Sequence, residues 1–151
     1  MTDAPTRTDQ VKALGIFIGD WTAEGTSFGG EASSGQLWFS IHTAAWHTGN
    51  FFIIQDERAR IDGSVFDTHA VIGVDSATGA YFMRSVENHG FDRDYRMERD
   101  GDVWRVIGDT ERATITFSDG GRTQTHRWEW KPAGTWVPLC DRAAKRTDEV
   151  V

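Results

Sequence analysis

Several features that would define other classes of protein are scarce in this sequence. Cys140 is the only cysteine among the 151 residues, so no disulfide can form within the chain. No apolar run approaches the roughly 20 residues of a transmembrane helix. The first residues contain neither the basic segment nor the apolar core of a signal peptide. These absences predict a cytoplasmic protein without a membrane partner.

Basic residues are fewer than acidic residues in this chain. The chain has 16 Lys and Arg against 23 Asp and Glu, which gives a net charge of −7 and a pI near 5.1. Proteins that bind nucleic acids normally present a basic face, and anionic membranes attract basic segments. The charge balance therefore predicts no nucleic-acid partner, and it leaves small molecules as the partner class to consider.

What the sequence does contain is aromatic residues and turn signals. Seven Trp and nine Phe favour β structure with a bulky interior. Turn signals such as Asp62-Gly63 and Asn88-His-Gly90 recur at hairpin spacing. Strands linked in this way between residues 20 and 142, about ten of them, close most simply into an up-and-down barrel. The prediction is one all-β antiparallel domain over residues 1–151, with a helix at 8–15 and a flexible tail at 143–151.

The ninth predicted strand indicates where a ligand would lie. Its alternation puts Thr125, Arg127 and Glu129 on one face. The opposite face carries Gln124, His126, Trp128 and Trp130, and its two Trp identify it as the inner face. Gln124 and His126 are therefore predicted to be polar groups that point into an apolar cavity.

Other candidate residues come from the same alternation. Tyr95 is predicted to face the cavity, whereas the strand at 81–87 can present either face. If Arg84 pointed inward, an anionic ligand group would be expected, and if Glu87 pointed inward it would supply a general base. His69 shares a face with Asp67, and a carboxylate beside an imidazole raises its basicity. No local spacing of His and Cys predicts a metal site.

The segment Gly19-Asp-Trp21-Thr-Ala-Glu-Gly25 resembles the opening of lipocalins and nitrobindin-like proteins. Trp128-x-Trp-x-x-x-Gly-x-Trp136 and other motifs resemble a bacterial calycin-like family with no settled reaction. The resemblance implies a calycin-like barrel in which Trp21 plugs one end. Nitrobindin-like proteins bind haem through a histidine close to the C-terminus, but this sequence has no histidine after His126.

Three hypotheses of function follow. The first is binding of a small hydrophobic or aromatic molecule, with walls and orienting groups supplied by Trp38, Trp46, Trp128, Trp130, Gln124, His126 and Tyr95. The second is a cofactor-independent isomerase, cyclase or hydratase in which His126 or His69 acts as acid or base and Tyr95 or Arg84 stabilises negative charge. The third is a haem barrel. The charged segment 55–60 is interpreted as a wet rim, a ligand gate or a contact in a homodimer.

Overall fold

The computed structural model describes residues 4–28 and 35–147. Helix α1 (Asp9–Ala13) runs into a 3₁₀ turn (Leu14–Phe17). The strands are β1 (Gly19–Ser27), β2 (Gln36–Trp46), β3 (Ile53–Ile61), β4 (Ser64–Val74), β5 (Tyr81–Glu87), β6 (Asp92–Asp100), β7 (Val103–Ile107), β8 (Glu111–Ser118), β9 (Thr123–Trp130) and β10 (Val137–Arg146). A second 3₁₀ turn (Asp119–Gly121) joins β8 to β9.

The ten strands form one closed antiparallel barrel. Each strand pairs with the strands before and after it in the chain, and β10 pairs with β1 to complete the ring. Closure leaves none of the ten described strands with a free edge, which is the reason that short hairpins in series adopt this architecture. The predicted all-β up-and-down barrel with a short N-terminal helix is confirmed.

The predicted tail was partly wrong. Ala143 to Arg146 continue β10 and pair with β1 and β9, with Trp21 opposite Arg146 and Gln124 opposite Ala144. Ala144 is buried, because strand alternation brings it to the inner face. This part of the strand was not predicted, because its charged residues Lys145 and Arg146 are typical of an exposed tail. The remainder of the predicted tail, residues 148–151, lies outside the described residues.

The helical segment closes one end of the barrel. It extends past Gly15, where the sequence predicted its end, because the 3₁₀ turn carries Leu14 and Phe17 into the interior. Phe17 makes edge-to-face contacts with Trp104 and Phe117, at 5.1 Å between ring centroids in both cases. These large side chains fill the interior of the barrel at this end.

Trp21 holds this closed end together. Its ring is 1% exposed, and its Nε1 donates a hydrogen bond to the Phe17 carbonyl at 3.1 Å. The Arg146 guanidinium lies 4.4 Å above the Trp21 ring and donates to the carbonyl oxygens of Ile16, Ile18 and Gly121. One stacked pair thus ties the last strand to the helical segment. Among the described residues, no helix is long and apolar enough to cross a membrane.

We expect Trp21→Ala to lower the free energy of unfolding by about 3–5 kcal/mol, since it leaves a cavity and removes the platform for Arg146. Urea denaturation measures this effect. The matched control is Leu37→Ala, which truncates a side chain that is 74% exposed and should cost about 0.5 kcal/mol or less. Equal losses in the two variants would contradict the role of Trp21.

Candidate functional site

A cavity of about 240 Å³ lies between the closed end of the barrel and its open mouth. Phe17 forms part of its floor, and apolar groups such as Ala70, Met83 and Ile115 line part of its wall. Polar side chains also line it, mainly from β2, β3, β9 and β10: His42, Gln55, Glu57, Gln124, His126 and Arg142. The interior is therefore an apolar chamber in which several polar groups are buried.

An ion pair between Glu57 and Arg142 lies at the centre of the polar groups. Arg142 Nη1 contacts both carboxylate oxygens of Glu57, at 3.1 and 3.2 Å. The two side chains are only 12% and 8% exposed. The pair spans the strands β1 and β2, which separate β3 from β10 in the ring. Such a buried pair needs further hydrogen bonds to offset the cost of removing both charges from water.

Residues of β2 supply that support. Ser40 Oγ donates to Glu57 Oε2 at 2.9 Å and accepts from Trp38 Nε1 at 3.0 Å. The Arg142 guanidinium stacks 4.3 Å above the Trp38 ring. Burial raises the pKa of Glu57, but the Arg142 guanidinium and these hydrogen bonds outweigh burial and lower the pKa overall. Glu57 is therefore a carboxylate at neutral pH.

Gly25 of β1 makes room for this arrangement. It faces Arg142 across the β1–β10 pairing, and a Cβ at this position would lie 1.9 Å from the Asp141 carbonyl oxygen and 2.8 Å from the Arg142 Cα. No side chain fits there without moving the backbone of β10. The second glycine of the Gly19-x-Trp-x-x-x-Gly25 segment thus allows the strand that carries Arg142 to close the barrel.

The hydrogen bonds of His126 fix its tautomer. Arg142 Nη2 lies 3.3 Å from His126 Nδ1, and a guanidinium can only donate, so Nδ1 accepts and carries no proton. The proton is on Nε2, which donates to Gln124 Oε1 at 2.8 Å. Burial, followed by the nearby Arg142 charge, holds the pKa of His126 well below its ordinary 6.5. His126 is therefore a neutral link between Arg142 and Gln124.

His42 is a second buried neutral histidine. Its side chain is 3% exposed, its ring stacks on Trp21 at 5.9 Å, and its Nδ1 lies 3.8 Å from Glu57 Oε2. Burial lowers the pKa of His42 to about 4, even though the Glu57 carboxylate acts in the opposite direction. Neither histidine therefore carries a charge at neutral pH.

Several polar atoms on side chains that line the cavity have no hydrogen-bond partner among residues 4–28 and 35–147. They are His42 Nδ1, Gln124 Nε2, Trp128 Nε1 and Arg142 Nε. The Gln124 amide cannot be turned around, because its oxygen must accept from His126 Nε2. Unpaired buried polar atoms are costly, so the donors on Gln124, Trp128 and Arg142 need acceptors from outside the described residues. Whether His42 Nδ1 needs a donor or an acceptor depends on its tautomer.

A second group of ionisable residues lies nearer the mouth. Arg93 Nη2 contacts Glu111 Oε1 at 3.0 Å, and Tyr95 Oη donates to Glu111 Oε2 at 3.1 Å. Burial, reinforced by the Glu111 carboxylate, raises the pKa of the Tyr95 phenol above its ordinary 10. Glu87 also lines the cavity and lies 2.6 Å from His89 Nδ1. The mouth thus has two carboxylates held by cationic or polar neighbours.

The structure brings together most of the predicted ligand-binding residues. Gln124, His126, Trp128, Tyr95 and Trp38 all line the cavity. Trp46 instead packs at the closed end, where Arg7 stacks 4.9 Å above its ring. Trp130 is the last residue of β9 and lies outside the cavity lining, so the predicted inner row of β9 ends at Trp128.

Two candidate catalytic residues lie outside the cavity. His69 lies on the outer surface with its side chain 49% exposed, and it pairs with Asp56 of β3 at 2.6 Å, not with Asp67. Arg84 is also external, 61% exposed and 3.7 Å from Asp94. The inner face of β5 carries Met83, Ser85 and Glu87. His69 and Arg84 therefore cannot act on a molecule in the cavity.

The ionisable residues at the centre of the site, Glu57 and Arg142, were not predicted. Glu57 was assigned to a charged rim segment, but Gln55 and Glu57 face inward while Asp56 and Arg58 face outward. Strict alternation from the buried Ile53 through Ala59 would have placed Glu57 inside. Arg142, the last residue of the predicted final strand, gave no such signal, because its partner lies 85 residues away.

The residues do not fit a haem group. Both ring nitrogens of His126 are already hydrogen-bonded. The cavity of about 240 Å³ is also below the roughly 300–1,000 Å³ of ordinary ligand pockets. Within residues 4–28 and 35–147, no group of three or more His, Cys, Asp or Glu could hold a metal ion.

Comparison with known proteins supports the fold alone. No protein-family model matches the chain, and no curated protein matches its sequence. Among solved structures, the chain is similar to the S-type phycobiliprotein lyase CPES from Guillardia theta, with a TM-score of 0.64 and 11% sequence identity. The similarity covers 95% of this chain and 96% of the lyase. The similarity agrees with the closed ten-stranded barrel, while the resemblance to calycin-like proteins stays a prediction.

We expect Glu57→Gln to destabilise the protein by about 3–5 kcal/mol, because it leaves the buried Arg142 charge without its partner. The double variant Glu57→Gln/Arg142→Met should recover part of this loss. Urea denaturation measures both. The control is Glu129→Gln on the outer face, where Glu129 and Arg112 are 40% and 44% exposed and the pair should contribute less than about 1 kcal/mol. Similar losses in both single variants would contradict the prediction.

The buried histidines predict a stability that falls in mild acid. Their pKa values are lower in the folded than in the unfolded chain, so between pH 6.5 and about 4 the unfolded state binds more protons. Stability should therefore decrease as the pH falls through this window, by up to about 1.4 kcal/mol per pH unit for each histidine.

Urea denaturation at pH 7, 6 and 5 measures this slope. His42→Asn should reduce the slope, whereas Leu37→Ala, which truncates an exposed side chain that does not titrate, should leave it unchanged. A slope that is the same in all three proteins would show that His42 does not resist protonation.

Proposed function

We propose that the barrel binds a small, flat and mainly apolar molecule in its cavity. The observation that carries this proposal is a largely apolar chamber, open at one end, whose lining side chains carry buried polar atoms without a partner among the described residues. A chain that buries donors without acceptors loses stability unless another molecule supplies them. A ligand-binding pocket has the same composition, with mostly apolar walls and a few placed polar groups.

The dimensions of the cavity limit the ligand. A volume of about 240 Å³ suits a molecule of one or two fused rings better than a larger macrocycle. Trp38, Phe66 and Trp128 supply aromatic surfaces along its length. Aromatic rings bury large areas and stack on planar partners, which favours a flat ligand over a branched aliphatic one.

The enzyme and haem hypotheses have less support. His126 would be a poor base, because both of its ring nitrogens are engaged and its pKa is lowered. His69 and Arg84 lie outside the barrel, so His126 and Tyr95 are the two predicted catalytic residues that line the cavity. The likeness to a phycobiliprotein lyase is a likeness of fold and assigns no activity to this chain.

A substitution that fills the cavity tests the binding proposal. Ser85 lines the cavity on β5, so Ser85→Trp should occupy the chamber. We expect the wild-type protein to bind the bicyclic hydrocarbon 2-isopropenylnaphthalene in equilibrium dialysis and Ser85→Trp to lose at least about tenfold in affinity, since its indole occupies the space of the probe. The probe is chosen for its size and flatness.

The matched control places the same indole on the outer surface. Thr125 of β9 is exposed, so Thr125→Trp should bind the probe as the wild-type protein does. Native mass spectrometry of protein purified from its source should show an added small mass that Ser85→Trp lacks. Equal binding by the two Trp variants would mean that the probe lies outside the barrel, and the proposal would fail.

A further inference from the structure

The unpaired atoms of the cavity also indicate the chemical class of the ligand. Resting on the proposed function, we propose that this ligand is an uncharged molecule that presents a hydrogen-bond acceptor, such as a carbonyl oxygen, to the β9–β10 wall. Two features of the site carry this inference. One is the donor character of the unpaired atoms, and the other is the charge of the groups that surround them.

Three of the unpaired atoms can only donate. Trp128 Nε1 and Arg142 Nε carry hydrogens and have no lone pair available, and Gln124 Nε2 is an amide nitrogen whose orientation His126 fixes. All three residues line the cavity from β9 and β10, where Arg142 lies opposite His126. A row of donors without acceptors selects a ligand that supplies acceptors and few donors.

The donors lie at different depths in the barrel. Gln124 is near the closed end of β9 and Trp128 is four residues nearer the mouth, which corresponds to about 13 Å along the strand. Arg142 lies between them. One ligand oxygen cannot reach all three donors. The donors therefore distinguish ligands by where the acceptor lies along the molecule.

The charges of the cavity argue against an anionic ligand. Its ionisable lining comprises the carboxylates of Glu57, Glu87 and Glu111, the guanidinium groups of Arg93 and Arg142, two neutral histidines, Tyr95 and Cys140. Burial raises the pKa of Cys140 to about 11 and that of the Tyr95 phenol above 10, so both stay neutral.

Both guanidinium groups already contact carboxylates, Arg142 with Glu57 and Arg93 with Glu111. A carboxylate ligand would add a negative charge to a lining that is already negative by one, and each cation in the described part of that lining already has a carboxylate partner. A cationic ligand would match the charge but would face the donor row with donors of its own. A neutral acceptor satisfies both constraints.

Three probes of nearly equal shape test the proposal: the ketone 2-acetylnaphthalene, the hydrocarbon 2-isopropenylnaphthalene and the anion 2-naphthoate. Equilibrium dialysis gives the affinity of each. We expect the wild-type protein to prefer the ketone over the hydrocarbon by about tenfold, the equivalent of one buried hydrogen bond, and to bind the anion more weakly than the ketone.

Variants that remove donors but keep shape connect this preference to the wall. Trp128→Phe removes Nε1–H and keeps an aromatic ring, while Gln124→Glu keeps the acceptor for His126 and removes the amide hydrogens. The variant with both changes should lose the preference for the ketone. The single variant that loses more of this preference shows whether the ketone oxygen lies near Gln124 or near Trp128. Trp130→Phe is the matched control on the same strand outside the cavity, and it should keep the preference.

The outcomes separate this inference from the proposed function. Binding of the hydrocarbon with a ketone preference that survives in the variant with both changes would overturn the ligand class alone, since water would then satisfy the donors. Tighter binding of 2-naphthoate than of the ketone would overturn the requirement for a neutral ligand. Failure of all three probes to bind the wild-type protein would overturn the proposed function and the ligand class together.

Discussion

The ion pair between Glu57 and Arg142 is the interaction on which the rest of the interior depends. It joins β3 to β10 inside the barrel, and its two charges are stable there only because Ser40, Trp38 and His126 complete their surroundings. Buried pairs of this kind contribute little net stability compared with apolar packing, but removing one partner leaves a costly isolated charge. The pair therefore constrains its neighbours: Arg142 determines the tautomer of His126, and His126 in turn determines the orientation of Gln124.

Within the cavity, the charged groups stabilise the protein, whereas the unpaired N–H groups are the ones proposed to contact a ligand. The positive charges of the cavity lining are neutralised within the protein, since the guanidinium groups of Arg93 and Arg142 each have a carboxylate partner. Among the described residues, the N–H groups that remain unpaired are those of Gln124 Nε2, Trp128 Nε1 and Arg142 Nε. A site of this kind distinguishes ligands by the position of an acceptor and not by net charge, because the buried polar groups penalise a molecule that leaves them unpaired. The closed end contributes rigidity, as Trp21 and Arg146 fix the last strand against the helical segment.

Much of the fold was predictable from local patterns. Hairpin turns and aromatic-rich strands predicted the closed barrel, and the row Gln124, His126 and Trp128 predicted one wall of the cavity, because side chains in a strand alternate between its two faces. Prediction failed where a pattern became ambiguous. Charged neighbours disguised the end of β10, the mixed segment at 55–60 concealed the inward Glu57, and Asp67 was a plausible partner for His69 until the β3–β4 register placed Asp56 opposite it.

The sequence by itself determined the strands, the faces of the clearest strands and the closure of the barrel, since these depend on periods of two residues and on turns of a few residues. The tertiary structure alone decided which polar groups meet. Glu57 and Arg142 are 85 residues apart in the chain. The distance between β3 and β10 across the ring depends on the number of strands and on their register, and no local sequence pattern encodes either of these. The contact between Glu57 and Arg142 also decides which donors stay unpaired, because a hydrogen bond depends on three-dimensional geometry. The proposed class of ligand follows from those donors.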